Sequence, residues 1–529
     1  MKKLLAILLT ALMLLTSVAA LAENTYEPGE YTLPIVSEPL TLVWMGRDSE
    51  DAGTSFNNGN ALIWNEIMKE TGITIEWDVV PNAEYRQIMD LRLASPTGLP
   101  DIVCLQGTAD GAHLVKYYEE GLLVDITEYL EYAPNLQRLF ETYPAYKDAI
   151  TLPDGAIVAL GDLNASNYRV NMPQIRYDWM EKLGIESVSN ADELYEAAKA
   201  FMEQDPNGNG EADEFGFVAG SMNEYRQLGS LFGLSLITGS GWHVEDGVVV
   251  NELVSEEYRD FLTWMNKAYT EGLIPKDFAS VDSATKDARI ASDVAGIVCR
   301  QGATTMLEWN NPTNSVQVNA PGSVWIPLAP KADENYTPVY PLELTASIWR
   351  SYAITTDCKD IIAAVRLMDY MLYGEGYYLN TCGIEGLNYY LEDGYVVTID
   401  GWKDKLQGSE FIGTNYFARI TADDRQLAGL LSPYLKEDTE LRDWSKERLD
   451  DAIEIVYTTF QPPIPTNDEA VEIARLTGDM TTYRDEMFVK FVTSETPLSE
   501  YDNYVQNYNQ LGAERIREIY QSGYDAKNK

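Results

Sequence analysis

Residues 175–217 read IRYDWMEKLGIESVSNADELYEAAKAFMEQDPNGNGEADEFGF, and the punctuation of that run decides the fold. Asn190-x-x-Glu193 has the form of a capping box. Leu194, Ala197, Ala198, Phe201 and Met202 then recur at i, i+3, i+4, i+7 and i+8, the one-sided stripe of an amphipathic helix. Upstream, Arg176, Asp178, Trp179 and Leu183 fit a short helix closed by Gly184. The longer helix runs directly into Asp205-Pro-Asn-Gly-Asn-Gly-Glu-Ala-Asp-Glu214. Side-chain oxygens recur there at Asp205, Asn207, Asn209 and Asp213, while Gly208 and Gly210 allow the backbone to wrap. Ca²⁺ takes about six to eight oxygens in a flexible shell, and the spacing D-x-N-x-N-G supplies them from alternate positions. Glu211 offers its backbone carbonyl and Glu214 a late carboxylate, because Gly216 stands where an EF-hand has its twelfth-position glutamate. The competing reading is a polar turn at a helix end, since Pro-Asn-Gly is ordinary turn chemistry.

Toward the N-terminus the pattern alternates. Thr41–Met45 is an apolar strand. A helix begins near Ala61, carries Leu62, Ile63, Ile67 and Met68, and ends at Gly72. Ile73, Ile75, Trp77 and Val79 alternate as a half-buried strand does. A second helix covers about Glu84 to Ala94, and Leu99-Pro100-Asp101 leads into the strand Ile102–Leu105. Strand, helix, strand, helix, strand predicts a doubly wound parallel α/β sheet, whose ligands bind beyond the carboxyl ends of its strands. Later, Glu256–Glu271 reads as a helix of a second domain.

The run 175–217 closely resembles the family 1 extracellular solute-binding proteins, the capture subunits of ABC sugar importers, and in particular their alginate-oligosaccharide-binding branch. LASPTGLPDIVCLQG (93–107), CKDIIAAVRLMDYMLYGEGYYLNTCGIEGLNYYLEDG (358–394) and FVTSETPLSEYDNYVQNYNQLGAERIREIYQSGYD (491–525) extend the resemblance over essentially the whole chain after its leader. It implies a two-domain, type II periplasmic-binding-protein-like fold with a hinge and C-terminal helices. It also implies a calcium loop that ends on the Asp213-Glu214 pair, so Gly216 is no departure. The expected layout is a leader over 1–22, a linker over 23–40, a first lobe from 41–162 plus about 290–350, and a second from 163–289 plus about 351–529.

Lys2 and Lys3, the apolar run Leu4–Leu15 and the small-x-small site Ala20-Leu21-Ala22 form a cleavable secretion signal. Members of the family are often lipoproteins with a cysteine at the leader's end. Here the first cysteine is Cys104, so release without lipid, beginning near Glu23, is expected. The four cysteines at 104, 299, 358 and 382 lack zinc-ligand spacing, and Cys104 reads as a small core residue. The chain of 529 residues has net charge −44; without Lys2 and Lys3, 37 basic residues face 83 acidic ones, giving −46. That balance argues against nucleic acid or an anionic membrane as partner and for a solvated monomer.

Sugar recognition needs aromatic faces and planar polar groups. With 11 Trp and 34 Tyr, the candidates are Trp44 at the first strand's end, Trp242 in a Gly-rich loop, Trp349 and Arg350 at a presumed domain crossing, Arg300, and Tyr389 and Tyr390 after the Gly-Ile-Glu-Gly turn. Core packing is the alternative for each aromatic. Trp179, Trp264 and Trp444 lie on helical faces and read as core. Only His113 and His243 are present, and no G-x-S-x-G, H-E-x-x-H or Walker sequence occurs. The sequence thus predicts a non-enzymatic, extracellular protein that captures an oligosaccharide for the ABC permease of an importer, with structural Ca²⁺. A secreted glycoside hydrolase or lyase and a polysaccharide adhesin are the rival classes. The acidic surface favours a neutral sugar over a uronate.

Overall fold

The computed structural model describes residues 24–48, 62–95, 97–107, 111–164, 170–236, 241–301, 309–310, 315–342, 345–392, 395–399, 420–421, 447–448, 450–458 and 460–528. The leader and Trp444 lie outside them. In chain order the principal strands are β1 (Leu40–Asp48), β2 (Ile73–Pro81), β3 (Ile102–Gln106), β4 (Leu160–Asn164), β5 (Asn171–Arg176), β6 (Phe215–Val218), β7 (Trp242–Glu245), β8 (Val248–Asn251), β9 (Ala295–Gln301), β10 (Trp325–Pro327), β11 (Tyr340–Leu342) and β12 (Thr345–Ile354).

Two sheets carry the molecule. The first runs Ile420–Thr421, β4, β12, β3, β1, β2, and the second runs β10, β5, β9, β6. β1 lies parallel to β2 and to β3, while β12 is antiparallel to both β3 and β4, so β1 to β4 all point the same way. In the second sheet β6 and β9 are parallel, and β5 opposes β9 and β10. The strand–helix alternation over 41–105 is thus the parallel sheet it predicts, because an apolar strand buried on both faces needs a helical crossover on each side. One apolar core gathers Leu42, Ile63, Ile73, Tyr85, Leu105 and Leu367. A second gathers Trp179, Leu194, Phe201, Phe217, Trp264 and Phe488. Trp179 and Trp264 are core, as expected.

The helix Ala191–Glu203 is capped by the Asn190 side chain, which accepts from the Glu193 N–H at 2.9 Å. Glu193 reaches back one residue further than a capping box requires and accepts from the Ser189 N–H at 2.7 Å. Leu194, Ala197, Ala198 and Phe201 are buried and Met202 is half-buried, so the stripe read from sequence is the packed face.

Strand pairing revises the lobe boundaries. Residues 295–301 form β9, an inner strand of the second sheet, and do not return to the first. Residues 351–379 belong to the first core, through Tyr352, Ile354, Leu367 and Leu379, instead of the second. Periodicity identifies these segments as strand and helix, but which sheet they join depends on partners far away in sequence. The stretch read as a linker is also packed. Ile35 and Val36 are buried in the first core, with Tyr26 and Tyr31 against it. Tyr26 donates to Asp360 at 2.6 Å, and Tyr31 to Asp369 at 2.9 Å. The Arg366 guanidinium lies over both rings, 5.2 and 5.0 Å from their centroids. Sixteen residues without regular structure are therefore a strap, held by partners more than 330 positions away.

The sheets are joined side by side. β4 of the first sheet ends at Asn164 and β5 of the second begins at Asn171; β11, which pairs with Val456–Thr458 in a small sheet of its own, ends at Leu342 just before β12 begins at Thr345. Thr345 and Thr421 both pair with Asn164, so three stretches of the chain lie side by side at one end of the first sheet. The carboxyl ends of β1 to β4, and those of β6 and β9, therefore face the joining segments. Among the described residues no helix is long and apolar enough to cross a membrane.

Candidate functional site

Two places on this frame can hold a ligand, at opposite ends of the second sheet. The first is the loop between the helix Ala191–Glu203 and β6. Asp205 adopts φ 44°, a left-handed conformation that aspartate tolerates better than most residues. Its carboxylate accepts from the backbone N–H groups of Gly208, Asn209 and Gly210 at 2.9, 3.1 and 3.0 Å. Asn207 Oδ1 accepts from the Asn209 N–H and Asn209 Oδ1 from the Glu211 N–H. The Asn209 amide donates to Asp213 at 3.1 Å. Lys182 Nζ donates to the Pro206 carbonyl at 2.6 Å.

Glu214 is the unusual member. Its side chain is buried, yet neither carboxylate oxygen has a hydrogen-bond partner. Burial, with the charges of Asp213 and Asp205, pushes its carboxyl above the ordinary glutamate value. The backbone N–H groups of Glu214 and Asn207 offset part of that shift; a buried carboxylate so weakly served by donors is costly, and a cation can satisfy such a group. The donor set fits a hard ion, being oxygen throughout: the Asp205, Asn207, Asn209, Asp213 and Glu214 side chains and the Glu211 carbonyl. Among the described residues no three His, Cys, Asp or Glu side chains stand as a metal group. Asp205 faces backbone N–H groups, and beside the Asp213 and Glu214 carboxylates the remaining oxygens come from asparagines and a carbonyl.

No local pattern marks what braces this loop. Asn207 Nδ2 donates to the carbonyl of Asp293 at 3.1 Å, across 86 residues. Asp293 pairs through its carboxylate with Arg176 at the end of β5. Arg176 also makes a two-point pair with Asp178, at 2.9 and 2.7 Å, and lies over the Trp179 ring 4.3 Å from its centroid. Arg176 could be found in the quoted run, but Asp293 carries no local signal.

The second place is the opposite, carboxyl end of both sheets. Arg350 pairs with Gln106, the last residue of β3, and the register of β12 against β4 shifts between Ser347 and Ser351, so Trp349 and Arg350 sit in a strand irregularity. Such irregularities re-aim side chains. Arg300 pairs with Met172 near the end of β9. The backbone thus places Trp349, Arg350 and Arg300 at the ends where an open α/β sheet takes its ligands. Trp44 is not with them. It is 1% exposed, packed edge-on to Trp64 at 5.0 Å and Tyr352 at 5.7 Å. The apolar strand carries it inward, and the expectation of a sugar contact there is corrected to core. Tyr389 is likewise buried, stacked on Tyr378 at 5.9 Å, and is not available as a platform. Tyr390 follows it half-buried on the short strand Tyr389–Glu392. Trp242 opens the hairpin β7–β8, half-buried and edge-on to Tyr520 of the last helix at 5.5 Å. His113 is buried, as a packing residue is. Among the described residues none of the four cysteines forms a disulfide, and Cys104 is 1% exposed.

The family model of bacterial extracellular solute-binding proteins matches residues 54–373. The chain is 32% identical over 292 residues to the fructooligosaccharide ABC transporter substrate-binding protein FusA of Streptococcus pneumoniae serotype 4, covering 51% of this chain and 52% of FusA. It therefore spans about half the length of that curated relative. Among solved structures, the FusA EF-hand mutant from S. pneumoniae in complex with fructo-nystose superposes with TM-score 0.68 at 21% identity, covering 92% of this chain and 99% of the other. The alginate-binding protein AlgQ2, solved without calcium ion, superposes with TM-score 0.65 at 21% identity, covering 93% and 99%. At that identity the likeness establishes the fold, a two-lobed type II binding-protein architecture with C-terminal helices.

Proposed function

The chain belongs to the bacterial extracellular solute-binding protein family, and on that premise we propose that it captures an oligosaccharide between its lobes and delivers it to the permease of an ABC importer. The observation that carries this reading is that three chain stretches lie side by side at Asn164, Thr345 and Thr421, with the carboxyl ends of both sheets turned toward them. Two rigid sheets on such a joint can rotate about it. A ligand seated at the strand ends closes the lobes only to the extent that it contacts the closed state better than the open one. FusA, a fructooligosaccharide binder by name, supports the substrate class.

Trp349, Arg350 and Arg300 line the ligand region in this reading, with Trp242 and Tyr390 as outer aromatic contacts. The binding step needs no covalent chemistry: ring faces stack on aromatics and hydroxyls meet planar polar groups. A leader ahead of residue 23 directs secretion and is removed. The loop 205–214 takes up Ca²⁺ as a structural ion, held by Asp205, Asn207, Asn209, Asp213 and Glu214 and by the Glu211 carbonyl. When bound, the ion would compensate the buried Glu214 carboxylate and its half-buried neighbours Asp205 and Asp213, and it takes no part in sugar binding. Two of the structural relatives are described by that feature, one as an EF-hand mutant and one as lacking calcium.

Titration of a panel of neutral and uronate oligosaccharides against intrinsic tryptophan fluorescence tests the reading, with the recovered sugar analysed afterwards. Saturable binding of at least one oligosaccharide, recovered intact, is expected. Binding of none, or recovery of shortened chains, contradicts it.

A further inference from the structure

The loop 205–214 and the ligand-facing strand ends lie at opposite ends of the same three strands. β6 starts at Phe215, directly after Glu214. β9 starts at Ala295, two residues after Asp293, and runs to Arg300 and Gln301. β5 runs the other way and ends at Arg176. The Phe215 N–H donates to the Val294 carbonyl at 2.8 Å, which fastens the starts of β6 and β9 together.

Asp293 sits at the centre of this end. It adopts φ 60°, one of four non-glycine residues with positive φ among the described residues, and Asp205 in the loop is another. A conformation of this kind persists where surrounding contacts over-determine it. Here the loop fixes it from one side, through Asn207 Nδ2 on its carbonyl, and β5 from the other, through Arg176 on its carboxylate. Arg176 is itself immobile: it is buried, paired twice with Asp178, and lies between Trp179 at 4.3 Å and Trp325 at 5.7 Å. Asp178 in turn accepts from the Val324 N–H at 2.9 Å, next to β10. Every strand of the second sheet therefore meets the loop or this knot at one end.

We propose that Asp293 and Arg176 are positioning residues that transmit cation occupancy of the 205–214 loop to β5 and β9, so that the ion sets the order of the ligand-facing end of the second sheet. The inference rests on the proposal that the loop takes Ca²⁺. It assigns a route: loop, Asn207, Asp293, Arg176, strand. Asp293 is the point to interrupt, because asparagine accepts positive φ, keeps the carbonyl that Asn207 holds, and removes only the charge facing Arg176.

The test is hydrogen–deuterium exchange of the full chain with CaCl₂ alone against chelator, in wild type, in Asp293→Asn and in Asp277→Asn. The last removes an ion pair with Arg289, whose guanidinium lies over the Phe215 ring at the start of β6, and so controls for the loss of a charge pair beside the loop that is not on the route. In wild type, calcium should slow exchange in peptides covering 205–214 and in those covering 295–301 and 171–176, by at least about fivefold at the strand ends, within the usual range of site–site coupling. Asp293→Asn should keep the protection of 205–214 and lose that of 295–301 and 171–176. Asp277→Asn should keep both. Protection of 295–301 that survives in Asp293→Asn overturns the relay, as does wild-type protection confined to 205–214 or spread equally over the helix Glu256–Thr270. Silence at 205–214 itself identifies the failure as one of calcium binding, and the relay falls with it.

Discussion

The first and second sheets each bury a cluster of tryptophans, and the two clusters are built on different principles. In the first, Trp44, Trp64, Trp77 and Tyr352 pack on one another, with ring centroids 4.9 to 6.0 Å apart. In the second, Trp179 and Trp325 enclose Arg176, which brings Asp178 and Asp293 with it. The first is an apolar nest that owes its stability to area removed from water and to close packing. The second is a charged knot beside a loop whose Glu214 carboxylate is buried and weakly served by donors. Burial alone therefore says little about function. What separates the two is polar bookkeeping, which is closed in the nest and open at the loop.

Deleting a ring from the nest should have the largest effect. Trp44→Ala is expected to lower unfolding free energy by about 3–5 kcal/mol, read as a fall in the denaturant midpoint. A loss under about 1 kcal/mol would return Trp44 to the candidates for ligand contact.

The next effect belongs to the strap on the first lobe. Asp369 is 1% exposed, and its burial pushes the carboxyl up to about 7. The folded state holds that proton more tightly than the unfolded chain does. The group's contribution is therefore present below about pH 4 and lost as pH rises through about 7. Asp369→Asn should remove this slope, because an amide does not titrate and its oxygen still accepts from the Leu136 N–H, while the Tyr31 hydroxyl keeps the Arg366 carbonyl as an acceptor. Melting temperatures from pH 4 to 8 that fall equally in wild type and variant would show that Asp369 is not their cause.

On the second lobe, a cation bound only by the folded loop adds about 2.7 kcal/mol at a hundredfold excess over its dissociation constant. Melting with calcium against chelator reads this directly, and Asp205→Ala should abolish the difference. Equal melting in both conditions would leave the loop a polar turn. The smallest effect on stability is expected at the strand end. Trp349→Ala should weaken oligosaccharide binding by about 1 kcal/mol or more while changing the denaturant midpoint far less than Trp44→Ala. The reverse pattern would make Trp349 a core residue too.

How much of this could be read in the sequence follows from the range of the interactions. The helix Ala191–Glu203, its Asn190 cap and the alternation that makes β1 to β3 are local, and they were legible. Asn190 and Glu193 are three residues apart. The lobe to which β9 and the helix Ile361–Tyr370 belong was not legible, because periodicity identifies an element without naming its neighbour. The strap was misread for the same reason: Tyr26 and Tyr31 look solvent-facing until Asp360, Asp369 and Arg366 come up beside them. At the loop the oxygen spacing was visible, but the brace at Asp293 lies 86 residues from Asn207. Trp44 failed as a ligand candidate because β1 runs on to Asp48, which leaves Trp44 in mid-strand, and Trp64 and Tyr352 close over its ring only in three dimensions.

Lobe closure is the central claim, and small-angle X-ray scattering tests it most directly. The protein is measured alone and saturated with whichever oligosaccharide the fluorescence panel selects. The radius of gyration should fall on saturation, and the fall should be absent with a sugar of equal length that the panel rejects. Saturable binding with no change in the radius of gyration would contradict a hinge at the Asn164, Thr345 and Thr421 stretches.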